Sequence, residues 1–279
     1  MDLHRAFAQC VRSPCCHQAI ATPSPHITLK RRSGFLWGAE FMLSEHDEYE
    51  FHSYKGKEAA ATPSLVSAVS HVFSNSFGTN PQGRPYRLGP KTTRERLEST
   101  DHLFVAHHQT EGDVGYLYAR VLRATQGVVG WIDSLAVLPD HRRKKVATRL
   151  VSRLVDTIST CRWVGCATPN PIAALVITNV VHGKVYVDRC NPPDDVVRMI
   201  KEIRPKCPDL RGADFNASTL RVKTRFTPVS SEETREWSPP HPSEPPPWWA
   251  SLQNLPSEYE ALLIIDRGQH RSETHGTDR

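Results

Sequence analysis

The stretch GWIDSLAVLPDHRRKKVATRL, residues 130–150, contains the pattern that decides the fold. Its first half belongs to a nearly continuous apolar run, residues 128–138, which predicts a strand buried on both faces of a sheet. Pro139 ends this run, four consecutive basic residues follow, and an amphipathic helix is predicted directly after them. The apolar residues of that helix share one stripe at helical spacing: Val146, Leu150, Val151, Leu154, Val155 and Ile158. The pattern indicates a buried strand, a short basic loop and a helix that packs on the sheet.

The basic loop lies where the predicted helix begins. The first backbone N–H groups of a helix have no partner inside it, and together with the helix dipole they attract anions. Arg142, Arg143, Lys144 and Lys145 place four cations at that same end. A diphosphate suits such a site, because it carries negative charge and many acceptor oxygens. A basic run can also be a solvated surface or a localisation signal, but its place between strand and helix favours a phosphate site.

The elements predicted around this stretch alternate between helices and strands. A helix begins near Pro63 and ends before Gly78, and a Pro/Gly-rich loop is expected over residues 80–92. Glu111–Asp113 has the composition of a hairpin turn between two strands. The remaining predictions are strands at 102–107, 114–122 and 162–167 and a helix that begins near Pro171.

The ends of the chain predict a different organisation. Residues 1–33 are expected to be a disordered leader and residues 34–237 the main domain, with a C-terminal extension from about residue 188. Within the extension we expect a helix at 193–203 and a strand at 220–226. Three further segments are predicted: a Pro-rich linker at 238–250, a final strand within 251–267 that returns to the sheet, and a disordered tail at 268–279.

The bulk composition is that of a soluble globular protein, with 38% hydrophobic and 23% charged residues among 279. No apolar run reaches membrane-spanning length, so no membrane association is expected. The net charge of +5 permits an anionic ligand without indicating nucleic acid. A cytoplasmic location is expected, with nucleus or organelle as alternatives, and the protein is expected to be a monomer or homodimer.

The seven cysteines predict neither disulfides nor a metal site. Their number is odd and their spacing irregular, which argues against a disulfide framework. Cys10, Cys15, Cys16 and His17 lie close together, but adjacent cysteines do not fit the CxxC spacing of a zinc knuckle. We therefore expect free thiols and no metal.

The loop and its helix resemble the acetyl-CoA motif of the GNAT superfamily of N-acetyltransferases, in which the loop reads Arg/Gln-x-x-Gly-x-Gly/Ala. Arg142 matches the first position and Ala147 the last, whereas Lys145 stands where glycine is usual. Residues 163–175 resemble the next strand and helix of the family, and Asn170 corresponds to an asparagine near the pantetheine arm. The resemblance extends over residues 65–186 and is strongest at 130–175.

The resemblance implies an α/β fold: a mixed, mostly antiparallel sheet flanked by helices, in which two central strands are splayed apart. Acetyl-CoA is expected as co-substrate between these strands, with the acceptor amine entering from the opposite side of the V. The cofactor-binding residues that the resemblance implies are Leu135, Ala136, Val137, Arg142, Arg143, Lys144, Lys145, Val146, Ala147 and Asn170.

Attack on a thioester needs a neutral amine, so a base or a water chain must remove a proton. Asp133, on the cofactor strand where family members often place an acidic residue, is the first candidate. In the alternative interpretation, Asp133 has no catalytic role, and its carboxylate accepts hydrogen bonds from backbone amides or faces solvent. His107 and His108 are further candidates, although adjacent strand residues face opposite ways and at most one can face the cleft.

These observations predict an N-acetyltransferase that transfers the acetyl group of acetyl-CoA to an amine of a small molecule or protein. The alternative is a catalytically degenerate GNAT domain that binds acyl-CoA or a partner protein. Lys145 favours the alternative, and so does the lack of the tyrosine that many members carry near the positions of Ile177 and Thr178; Tyr186 lies several residues later. A nucleic-acid-binding module ranks last, because no aromatic stacking pattern accompanies the basic loop.

Overall fold

The computed structural model describes residues 48–79, 83–188, 191–224, 245–256 and 258–268. They form one mixed sheet with helices on both faces. The strands are β1 (Tyr49–Lys55), β2 (His102–His108), β3 (Gly112–Ala124), β4 (Gly127–Val137), β5 (Trp163–Thr168), β6 (Lys184–Tyr186), β7 (Asp214–Asn216), β8 (Arg221–Lys223) and β9 (Tyr259–Asp266). The α-helices are α1 (Gly56–Ala61), α2 (Pro63–Ser76), α3 (Pro90–Glu98), α4 (Val146–Thr157), α5 (Pro171–Val180), α6 (Asp194–Ile203) and α7 (Trp249–Gln253).

The sheet has the strand order β1-β2-β3-β4-β5-β9-β8-β7, and β6 also pairs with β9. Every pairing is antiparallel except that of β4 with β5. The parallel pair joins only Val129–Ile132 to Trp163–Cys166, although β4 continues to Val137 and β5 to Thr168. The two strands therefore separate beyond Ile132, and the predicted fold class with its splayed central pair is confirmed.

Alternation along the strands divides the core between the two faces. On one face, Ile132 of β4 packs with the apolar stripe of α4 and with α5. On the other, Val129 and Trp131 pack with α6, and Tyr116 and Tyr118 of β3 pack with α1, α2 and α3. A side chain at Gly130 would collide with Ile158, so this glycine lets the end of α4 lie close against β4.

The segment after α2 differs from its prediction. Residues 90–92, expected in a loop, begin α3, in which Pro90 occupies the first turn, where its missing N–H costs no hydrogen bond. Only Leu97 in this helix is a buried apolar residue, so the sequence showed no helical periodicity.

The last strand lies inside the sheet, between β5 on one side and β8 and β6 on the other. Residues 249–253, at the predicted boundary between linker and strand, form α7, whose Trp249 and Leu252 are buried. The predicted leader, most of the linker and nearly all of the tail lie outside the described residues. No helix within the described ranges is long and apolar enough to span a membrane.

Candidate functional site

The splayed segment of β4 exposes one backbone edge beyond Ile132. Leu138 donates its N–H to Val114 of β3, so the alternation of an extended strand turns the backbone groups of Leu135 and Val137 the other way, toward β5. Ala136 directs its backbone toward β3 and is buried. The Val137 carbonyl accepts a hydrogen bond from Arg142 Nε at 3.3 Å. This edge can pair with an extended ligand, as an added strand pairs with a sheet.

The turn Arg142–Lys145 presents three exposed cations, Arg143, Lys144 and Lys145, at the start of α4. Arg143 and Lys145 have φ angles of 65° and 61°, whereas Lys144 between them does not have positive φ. Alternating backbone conformations of this kind turn successive N–H groups toward one point and form an anion-binding concavity. Lys145 occupies the left-handed region, which explains why glycine is usual at this position in the motif.

Arg142 differs from the other three basic residues, because its guanidinium binds backbone carbonyls. It donates to Val137 at the end of β4 and to Ser76 at the end of α2, the latter at 2.9 Å. Its contribution to the turn is therefore to tie the loop to the strand and to α2.

The first turn of α4 receives no cap from a described side chain. Val146 is buried in the core and Ala147 is half-buried, so a ligand there would meet the backbone N–H groups of these residues. An uncapped N-terminus behind three cations is an electropositive site for a phosphate or diphosphate.

Asn170 caps the next helix. Its Oδ1 accepts hydrogen bonds from the N–H groups of Ile172 at 2.9 Å and Ala173 at 3.3 Å. Its own N–H donates to Thr168 Oγ1 at 3.0 Å. The side-chain carbonyl of Asn170 is therefore used to cap α5. The assignment of Asn170 to cofactor binding stays a prediction.

Asp133 is the first β4 residue beyond the pairing with β5, at the vertex of the V. A β-bulge between β3 and β4 leaves it without a register partner, so its side chain joins that of Ser134 on the face of α3 and α6. Its Oδ2 accepts a hydrogen bond from Arg120 Nε at 2.6 Å, and only 4% of the Asp133 side chain is exposed. Burial raises the pKa of this carboxyl to about 7, against the opposing effect of Arg120.

Two further acidic residues, Asp209 and Glu260, were not identified from the sequence; Asp209 interacts electrostatically with both Asp133 and Glu260. Glu260 precedes the point where β9 pairs with the end of β5; burial raises its pKa to about 7, although Thr224 hydrogen-bonds it. Asp209 forms a bidentate pair with Arg96 and raises the pKa of both Asp133 and Glu260. The one sequence feature that could have indicated Glu260 is its position directly before the apolar run 261–265. We call Asp133, Asp209 and Glu260 the vertex carboxyls.

The candidate histidines face opposite sides of β2, as adjacent strand residues must. His107 Nδ1 lies 3.0 Å from Asp113 Oδ1. His108 lies beside Glu111 and His141 at the end of the hairpin. Their roles as bases stay predictions.

Tyr116, Tyr118 and Tyr186 are buried. Tyr116 and Tyr118 stack in the core at 5.5 Å, and the Tyr116 hydroxyl hydrogen-bonds Ser134. Tyr186 lies on β6, which pairs with β9 on the side away from β5. Of the two α5 positions, Ile177 is buried in the core and Thr178 donates its hydroxyl to the Leu175 carbonyl.

Residues 99–182 match the family model of an acetyltransferase (GNAT) domain, from the end of α3 to the end of α5. No curated protein matches the chain significantly. Similar solved structures include the ribosomal-protein-S18-alanine N-acetyltransferase of Escherichia coli, with 12% identity over 52% of this chain and 86% of that one and a TM-score of 0.36. Diaminobutyrate acetyltransferase EctA of Paenibacillus lautus, in complex with its substrate and coenzyme A, is 14% identical over 53% and 87% of the two chains, with a TM-score of 0.35. An aminoglycoside acetyltransferase from a soil metagenomic sample is 24% identical over 40% and 72%, with a TM-score of 0.29.

Proposed function

We propose, from the premise that residues 99–182 belong to the GNAT superfamily, that this protein transfers the acetyl group of acetyl-CoA to an amine. The observation that carries the proposal is the combination of an open β4 edge beyond Ile132 with an uncapped, basic N-terminus of α4 directly after it. The acceptor is an amine of a small molecule or of a protein.

The two parts of acetyl-CoA fit the two parts of this site. The pantetheine arm carries amides, which pair with the β4 edge at Leu135 and Val137 as a short added strand. The diphosphate binds the N–H groups of the turn and of the first turn of α4, with Arg143 and Lys144 neutralising its charge. This orientation directs the thioester along β4 toward the vertex of the V.

The amine arrives from the face of α3 and α6, where the vertex carboxyls lie. Asp133 takes the proton of the ammonium directly or through a water molecule. A carboxyl with a pKa of about 7 matches this task better than one with the usual acidic value, because near neutral pH about half of it is unprotonated and that half is more basic.

The neutral amine nitrogen then attacks the thioester carbonyl carbon, and a backbone N–H of β4 stabilises the oxyanion that forms. When the intermediate collapses, the C–S bond breaks, the amide remains, and CoA leaves as a thiolate that takes up a proton. Ile177 cannot donate that proton and the Thr178 hydroxyl already donates to Leu175, so water or the protonated base supplies it.

A second function, acyl-CoA binding without turnover, is favoured by the same α5 positions and by Lys145. A lysine at this position brings side-chain bulk to the place where the backbone approaches a phosphate. Binding alone does not distinguish the two functions, so turnover must be measured separately.

The first experiment is calorimetric titration of the full chain with acetyl-CoA, beside the double variant Arg143→Ala/Lys144→Ala. Each lost charge-assisted contact weakens binding, and we expect the double variant to bind roughly 10- to 100-fold more weakly. Arg153→Ala is the matched control, because it removes an exposed cation from the outer face of α4 and should bind like the parent.

Three outcomes are decisive. Equal affinity in the parent and the double variant would refute the phosphate site. No binding by the parent would refute both functions. Binding without release of free CoA thiol in the presence of a panel of amines would favour the binding module over the enzyme.

A further inference from the structure

Three residues from separate segments converge beside the start of the basic turn. His108 ends β2, Glu111 lies in the turn before β3, and His141 lies in the 3₁₀ turn after β4. One ligand-type atom from each lies within 4.8 Å of the others. His141 Nε2 is 3.2 Å from Glu111 Oε2, and His108 Nδ1 is 3.7 Å from Glu111 Oε1. Two imidazole nitrogens thus face one carboxylate.

These separations suit one small cation. Ligands bound to tetrahedral Zn²⁺ at about 2.0–2.1 Å lie about 3.3 Å apart from one another. The two nitrogen–oxygen separations around Glu111 are close to that value, and the three ligand atoms all lie within 4.8 Å of one another.

The surroundings hold His141 in the orientation that a ligand needs. Its Nδ1 lies 3.0 Å from the hydroxyl of Tyr49, and 1% of its side chain is exposed. A ligating histidine usually has its second ring nitrogen fixed by such a partner. Glu48 lies 3.8 Å from the far nitrogen of His108, Nε2, and adds negative charge at the outer shell.

The site has one open side. Glu111 is 55% exposed, whereas His108 is 12% exposed, so a cation enters from the hairpin side and keeps a position for water. Two neutral histidines and one carboxylate are a zinc donor set; magnesium and calcium prefer oxygen ligands alone.

We propose that His108, Glu111 and His141 bind a divalent transition-metal ion of the zinc class. The sequence predicted no metal, because the three residues are not close in a recognisable motif; the second histidine lies 30 residues beyond the glutamate. Since Arg142 follows His141 directly, the bound ion joins the β2–β3 hairpin to the first residue of the basic turn.

The test is a zinc titration of the full chain after removal of metal by a chelator, with CoA absent. Glu111→Gln keeps the size of an exposed side chain and removes the carboxylate; His108→Ala removes one imidazole. His107→Ala is the matched control, because the adjacent His107 faces Asp113 instead. Cobalt substitution provides a second readout, since a protein-bound Co²⁺ ion absorbs visible light according to its ligands.

We expect the parent and His107→Ala to bind one more equivalent of zinc than Glu111→Gln or His108→Ala, or to bind it at least tenfold more tightly. Zinc should raise the melting temperature of the parent and of His107→Ala but not that of Glu111→Gln. Equal stoichiometry and affinity in the parent and in Glu111→Gln and His108→Ala would overturn the proposal, since the ion would then be bound elsewhere. Absence of zinc binding by the parent would overturn it as well.

Discussion

The turn between β4 and α4 and the turn between β5 and α5 differ in how the N-terminus of the helix is capped. After β5, Asn170 closes the N-terminus of α5 with its own side chain. After β4, no described side chain caps α4, and the residue at that position is Lys145 in the left-handed conformation. The backbone N–H groups at the start of a helix are therefore hydrogen-bonded by a side chain at the α5 junction. At the α4 junction they have no side-chain cap and lie behind three exposed cations.

The difference teaches where a ligand is expected. Unpaired N–H groups at a helix start are costly unless water or an anion meets them, and a side-chain cap removes the site. The α5 junction uses its donors for stability. The α4 junction leaves its donors without a side-chain cap, and Arg143 and Lys145 there have strained positive φ angles.

The largest expected effect comes from the vertex between the two junctions. If Asp133 accepts the amine proton, Asp133→Asn lowers kcat roughly 10²- to 10³-fold, about 2.7–4 kcal/mol in the barrier, and leaves acetyl-CoA affinity unchanged. Steady-state kinetics and calorimetry measure the two quantities. Asp266→Asn is the control, because it also breaks an arginine pair but lies at the far end of β9. A loss of affinity equal to the loss of rate would instead show a structural role for Asp133.

The pH profile sharpens the same point. Burial raises the pKa of Asp133 to about 7, so the carboxyl is protonated and inactive below that pH. We expect kcat/KM to rise about tenfold per pH unit up to about pH 7, with this rise lost in Asp133→Asn. An aromatic acceptor amine, whose pKa is lower than that of an alkyl amine, separates the titration of the enzyme group from that of the substrate. A midpoint that moves with the acceptor would contradict the assignment.

At the closed junction, Asn170→Ala removes two cap hydrogen bonds and should lower the free energy of unfolding by about 1 kcal/mol. Asn170→Asp retains an acceptor oxygen at the same place and should be near neutral. Urea unfolding followed by circular dichroism measures both. If the two variants lose equal stability, the cap is not the reason for the loss.

At the open junction, Lys145→Gly should raise the free energy of unfolding by roughly 0.5–1 kcal/mol, because glycine adopts positive φ without steric cost. Lys144→Gly, one residue earlier and without positive φ, should lower it by a similar amount. Both substitutions remove one positive charge, so changes of opposite sign in the free energy of unfolding, measured in the same assay, would show the effect of backbone strain. Equal signs would show that charge, and not conformation, dominates the turn.

The elements that form the proposed cofactor half of the site could be predicted from the sequence because they are contiguous. Residues 128–158 carry a buried strand, a cationic turn and an amphipathic stripe in one run, and the structure places them as expected. Asn170 was predicted at a helix start, and its capping bonds follow from that position.

The acceptor half could not be predicted in the same way, because its residues come from distant segments. Asp209 follows α6 and raises the pKa of both Asp133 on β4 and Glu260 on β9, so these three acidic residues come from separate parts of the chain. The bulge that redirects Asp133 depends on the register of β3 against β4, which local patterns do not contain. Helix α3, which supplies Arg96, has too few apolar residues to show a period.

The interior position of β9 has a consequence for synthesis of the protein. Thr168 of β5 pairs with Ala261, so the partner strand of β5 is made about 90 residues later. At about 5–20 residues per second, the ribosome leaves that apolar edge unpaired for roughly 5–20 s. During this interval β2, β3 and β4 can pair through their local hairpins, whereas β5 still lacks its partner β9. A nascent chain that stalls before residue 261 therefore exposes an unpaired apolar strand edge that can aggregate. We expect holdase chaperones to bind such a chain.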